Sequence, residues 1–269
     1  MTQIKRKIEV NQTVSVKDRL KAEQSFHDRQ ALTRASDLEA RPDSFLFSDD
    51  AYLDHETWIR PAMDHLGAVQ GLRILDYGCG HGMAAVVFAR HGARATAFDL
   101  SQGYLQEARK RAHANGVEIE FAQADGERLP FADEAFDRIW GNAVLHHLDV
   151  RLAGRELARV LRPGGIAVFC EPWGENPFLR WVRHRVQYAS KERTPDEQPL
   201  RRKQVEVLRE VFPTALLRGY QFLSMLRRVI PRGKLAASLD WCDEMLLDRI
   251  PVLQRYCRYI VLVLRKELV

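Results

Sequence analysis

No stretch of the sequence reaches eighteen consecutive apolar residues, which excludes an ordinary membrane-spanning helix. Its opening, MTQIKRKIEV, has basic residues but no apolar run behind them, so no secretory signal is expected and the expected location is cytoplasmic. Cysteine is scarce: Cys79, Cys170, Cys242 and Cys257 lie far apart, with no zinc-type pairing, so reduced thiols and no metal site are expected. Repeats and low-complexity tracts are missing too, which excludes a solenoid. The net charge of +5 is small for 269 residues, and 46% hydrophobic with 29% charged residues is the balance of a globular chain with a substantial core.

What is present centres on residues 72–83, LRILDYGCGHGM. A short apolar strand runs into Asp76 and then into Gly78, Gly80 and Gly82, followed by helix-forming residues. Glycine between strand and helix lets the backbone approach a ligand that a Cβ would push away, and aims free helix N–H groups at it. A dinucleotide loop, G-x-G-x-x-G, would need glycine at the position held by Met83. The pattern is instead D-x-G-x-G-x-G.

Around this loop the chain is regular. Strands are expected at 74–77, 95–99, 119–123, 138–141 and 166–170, with helices at 81–91, 102–115 and 151–161 between them; that alternation predicts a doubly wound parallel sheet, Rossmann-like in kind. Later strands are expected at 216–226 and 259–264, and later helices at 178–188, 200–212 and 235–248. Upstream, helices at 16–35 and 52–66 make residues 1–66 an appendage that can lie across a site as a lid. Residues 67–269 form the ligand-binding domain, with 174–213 as a helical substrate cap.

Each strand end carries chemistry. Asp99, 23 residues after Asp76, can accept both hydroxyls of a ribose, provided that Ser101 caps the following helix. In AQADGERLPF, Asp125 can accept from an exocyclic amine and the Gly126 N–H can donate to a ring nitrogen, with Leu100 and Phe131 as apolar faces for a purine. FDRIWGNAVLHHL ends in Asn142, His146 and His147, and ELARVLRPGG closes a helix before the fifth strand.

In order and spacing, these five segments resemble the small-molecule branch of the class I S-adenosylmethionine-dependent methyltransferases, over residues 72–170. The resemblance implies a seven-stranded sheet whose last strand is antiparallel, and S-adenosylmethionine as cofactor. It also implies that Asp76, Gly78, Cys79, Gly80, Gly82 and Met83 cradle the methionine part, that Asp99 and Leu100 hold the ribose and adenine, that Asp125, Gly126 and Glu127 read the adenine edge, and that Asn142 lies near the sulfonium. Ala124 stands where the family often has glycine.

The acceptor does not follow from the resemblance. A hydroxyl acceptor needs a base, and His146, His147 and Glu171 are the candidates, so transfer to oxygen of a small or lipid-like molecule by in-line displacement is the leading expectation. Transfer to carbon or nitrogen, a nicotinamide-dependent oxidoreductase and a cofactor-binding protein without turnover are the alternatives. The basic and aromatic residues of 178–203, including Arg180, Arg183, His184, Arg185, Lys191, Arg193, Phe178, Trp181 and Tyr188, suit an anionic acceptor or the inner face of a membrane. Glu192, Asp196, Glu197 and Glu206 count against nucleic acid.

Overall fold

A computed structural model describes residues 16–39, 42–185, 198–228 and 234–268. Seven strands form one sheet: β1 (Arg73–Tyr77), β2 (Arg94–Asp99), β3 (Glu120–Gln123), β4 (Phe136–Asn142), β5 (Leu161–Pro172), β6 (Leu216–Tyr220) and β7 (Tyr259–Arg265), in the order β3-β2-β1-β4-β5-β7-β6. β1 to β5 pair in parallel, whereas β7 runs antiparallel to both of its neighbours. The expected doubly wound sheet with one reversed strand is the observed fold.

Side chains alternate between the faces of the strands, which divides the core in two. Leu75, Tyr77, Ile139, Ala167 and Phe169 face one cluster, and Ile74, Trp140, Val168 and Cys170 face the other. Helices α5 (Gln102–Ala114) and α6 (Val150–Val160) are capped by Ser101 and Asp149, whose side chains accept first-turn N–H groups. Helix α4 (Met83–Arg90) follows the glycine loop.

Two expected elements are shorter than their sequences suggest. Residues 52–66 are not one helix but α2 (Asp49–Leu53) and α3 (Ile59–Asp64). In a continuous helix, Tyr52 and Trp58 would point about 120° apart. The break lets both enter one apolar cluster, where Trp58 stacks on Tyr259 with ring centroids 3.9 Å apart and the Tyr52 hydroxyl accepts from Trp140 Nε1 at 3.1 Å. The strand expected over 216–226 stops at Tyr220 because Gln221 turns to a φ of 59°. The Asp243 carboxylate of α9 (Lys234–Arg249) then collects the N–H groups of Phe222, Leu223 and Ser224 at 2.6 to 3.0 Å, fixing a turn.

α1 (Val16–Glu39) packs against α5, while α7 (Pro177–Arg185) and α8 (Arg202–Arg209) follow β5.

Candidate functional site

Strand order reverses between β1, which leads outward to β2 and β3, and β4, which leads to β5. Ligands of such sheets sit at that reversal, beyond the carboxyl ends of the strands. A cleft of about 260 Å³ lies there. It is lined by Gly78 and Gly80 after β1, Asp99 and Leu100 after β2, Asp125 and Gly126 after β3, and Asn142, Val144 and His147 after β4.

The glycines serve different ends. Gly80 has a φ of 50°, and a Cβ built on it would meet nothing within 4 Å, so its free side opens onto the cleft. Gly82, with a φ of 78°, would place a Cβ 2.7 Å from that of Ala108, so its lack of a side chain seats α5. Asp76, Cys79 and Met83 do not line the cleft, although they are adjacent to it in sequence. The Cys79 N–H donates to the Phe98 carbonyl at 2.8 Å, and Met83 opens α4. Asp76 is buried beneath the loop and accepts from the Ala85 N–H at 3.0 Å.

Burial pushes the Asp76 carboxyl up to about 7, against the Ala85 N–H and with the help of the Asp99 charge. A carboxyl raised in the folded state binds its proton there while the unfolded chain has lost it, so this group lowers stability as pH rises from about 4 to about 7. Asp76→Asn is therefore expected to flatten that part of the stability profile, measured as Tm from pH 4 to 8. An unchanged slope would show that Asp76 is ionised throughout.

Asp99 is placed to hold a polar ligand. One oxygen accepts from the Gly80 N–H and the other from the Ser101 N–H, both at 2.8 Å, which fixes the carboxylate at the cleft wall while each oxygen keeps a further lone pair. Burial raises its affinity for a proton against those two N–H groups. Asp125 is half-buried, and burial raises its carboxyl as well; its Oδ1 accepts from the Glu127 N–H at 2.9 Å. The Gly126 carbonyl accepts from the Tyr77 hydroxyl at 2.5 Å, tying this loop to the core. Phe131 does not reach the cleft, since its ring packs against Phe98 and Phe136; Phe98, Leu100, Ala124 and Leu148 supply the apolar walls instead. Glu127 also lies outside: it accepts from the Asp149 N–H at 2.6 Å and pairs with Arg19.

The rings of His146 and His147 lie 4.1 Å apart, but only His147 faces the cleft. His146 is buried, with Nδ1 2.7 Å from Glu171 Oε2, and the other Glu171 oxygen accepts from the N–H groups of Val144 and Leu145 at 3.0 and 2.8 Å. With no exposed surface and both oxygens engaged, Glu171 cannot touch an acceptor, and His146 points with it into the core. His147 alone of these three lines the cleft. Ala143, between them and Asn142, has a φ of 59°, an uncommon conformation for a residue with a Cβ, held by its N–H to the Cys170 carbonyl at 2.7 Å.

Sequence reasoning missed the side chains that α1 adds: Arg19, Leu20, Glu23, His27 and Arg34 close the cleft from above. The helix is pinned by Asp28, which accepts from the Ser101 hydroxyl at 2.5 Å and the Gly103 N–H at 3.1 Å, and by the Tyr104 hydroxyl donating to Gln30 at 2.9 Å. Glu23 and His27, four residues apart in a helical stretch, were the one available signal. The expected cap residues do not line this cleft: Phe178 and Trp181 are exposed, with Arg185 over the Trp181 ring at 5.5 Å. Of the basic run, Lys191 and Arg193, with Tyr188, lie outside the described residues, as do the side chains of Arg183 and His184.

Residues 75–169, the segment that builds the cleft floor, match the family described as "Methyltransferase domain". Over those residues the chain is similar to methyltransferases. "Methyltransferase GfsG" from Streptomyces halstedii is 42% identical over 106 residues, 38% of each chain. "Ubiquinone biosynthesis O-methyltransferase" from Dinoroseobacter shibae is 35% identical over 141 residues, or 48% of this chain and 56% of that one. This chain thus spans well under two thirds of the length of these relatives. Among solved structures, that of the "[4+2]-Cyclase SpnF" matches with a TM-score of 0.53 and 25% identity, over 78% of this chain and 80% of the other.

Proposed function

We propose that the chain transfers a methyl group from S-adenosylmethionine to a hydroxyl oxygen of a small or lipid-like acceptor. The observation that carries this reading is the convergence of the open Gly80 backbone, the Asp99 carboxylate and the Asp125–Gly126 loop on one cleft at the strand reversal. These residues fit the cofactor: Gly80 leaves room for its methionine part, Asp99 keeps lone pairs for ribose hydroxyls, and Leu100, Ala124 and Leu148 offer apolar contact to a base. When bound, the sulfonium supplies an already activated methyl group. The protein's share is then to align the acceptor and exclude water. α1 serves as the lid that excludes it, and its side chains, with His147, form the acceptor end.

The similarity to an O-methyltransferase supports oxygen as the acceptor atom. Calorimetry with S-adenosylmethionine and with a nicotinamide dinucleotide tests the donor: binding of the first alone is expected, and binding of the second alone would return the chain to the oxidoreductases.

The exposed Phe178 and Trp181, with Arg185, suit contact with an anionic membrane surface that would hold a lipid-like acceptor. Co-sedimentation with anionic vesicles is expected to fall severalfold in Trp181→Ala and at high salt. Equal sedimentation by wild type and variant would remove the membrane role.

A further inference from the structure

Glu23, His27 and His147 bring three ligand-bearing side chains together at the acceptor end of the cleft. Their donor atoms all lie within 4.8 Å of one another. Glu23 Oε1 is 2.5 Å from His147 Nδ1 and 3.3 Å from His27 Nε2, and the two imidazole rings meet edge to face with centroids 5.7 Å apart. Two of the three share one face of α1, one helical turn apart, and the third comes from the short helical turn after β4. None belongs to the glycine loop or to the adenine-side residues.

We propose that Glu23, His27 and His147 form a binding site for a divalent transition-metal ion of the zinc class, held between the lid helix and the methyl-transfer cleft. The donor set decides the class of ion: two imidazoles and one carboxylate suit zinc, cobalt or nickel, whereas magnesium and calcium prefer all-oxygen sites. Three protein ligands fall one short of a closed tetrahedral shell, and the site shares its wall with Asn142 and Val144, so the open position faces the cleft. Binding would place the three donors, which lie within 4.8 Å of one another, at about 2.0 to 2.2 Å from the ion. The ion would join α1 to the strand ends, so that closing the lid and completing the metal shell are one event. The open position would take an acceptor oxygen; this last role rests on the methyl-transfer reading, while the metal site does not.

The test uses the full chain, stripped with a chelator and titrated with Co²⁺, whose visible absorption reports its ligands. One equivalent is expected to bind with an intense four- or five-coordinate spectrum, to be displaced by Zn²⁺, and to raise Tm. His27→Gln and Glu23→Gln, which keep side-chain volume and polarity, are expected to weaken binding by about tenfold or more and to lose the Tm increase. Absence of stoichiometric Co²⁺ binding by the wild-type chain, or equal affinity in both variants, would overturn the site. Calorimetry with S-adenosylmethionine on the same metal-free samples separates the two readings. Donor binding without metal binding refutes the metal site alone, and metal binding without donor binding refutes only the methyl-transfer reading.

Discussion

Asp99→Ala is expected to weaken S-adenosylmethionine binding by about 100-fold or more. A hydrogen bond to a charged group contributes roughly 1.5 to 3 kcal/mol, and two ribose hydroxyls would lose their acceptor together, which places the loss near 3 kcal/mol or above. A second effect adds to the first: the Gly80 N–H, held at 2.8 Å by the same carboxylate, is released, and the loop that must stay open to the donor loses its anchor. Asp99→Asn keeps one accepting oxygen and is expected to fall between wild type and alanine. Because burial raises the Asp99 carboxyl, its charge does not favour folding, so neither variant should owe its weak binding to a collapsed fold. Calorimetry with a thermal melt on each sample checks both points, and unchanged affinity in the alanine variant would withdraw Asp99 from the ribose.

Glu171→Ala carries the largest expected cost in stability, about 3 to 5 kcal/mol, since it strips a fully buried carboxylate from three partners at once. The N–H groups of Val144 and Leu145 and the ring of His146 would each be left buried without that acceptor. Glu171→Gln retains a carbonyl oxygen for the two backbone donors and is expected to recover much of the loss. Urea unfolding measures both, and a loss under about 1 kcal/mol in the alanine variant would mean that water or rearrangement replaces the carboxylate. Turnover should fall as well, since these bonds hold the segment that carries Asn142 and His147 to the cleft wall.

The sheet and the part of the cleft built from strand ends were legible because they are written locally. Short apolar runs at a fixed pitch, and a glycine or carboxylate at each strand end, are patterns within a few residues, and Ser101 took the cap that left Asp99 facing the cleft. The part closed by α1 was not, because it depends on docking across long stretches of chain. Nothing in the adjacent pair His146 and His147 tells which ring turns inward; that is decided by a buried glutamate 25 residues later in sequence. Nor could the sequence of α1 show that Glu23 meets His147, since a helix reveals its faces but not what each will touch. Asp76 was read as a ligand contact because it precedes the loop, yet the pleat of β1 turns it below the backbone, where it steadies the start of α4.

The placement of β7 between β5 and β6 has a consequence for how the molecule is assembled. Among the described residues β6 pairs in the sheet only with β7, which is made some forty residues later, so during synthesis β5 is an unfinished edge and β6 is a strand without a sheet. The parallel half can form as soon as its five strands are available, whereas the antiparallel pair must arrive together to cover that edge. An interruption of translation before β7 is expected to leave the strand-end cleft beside one raw, aggregation-prone flank.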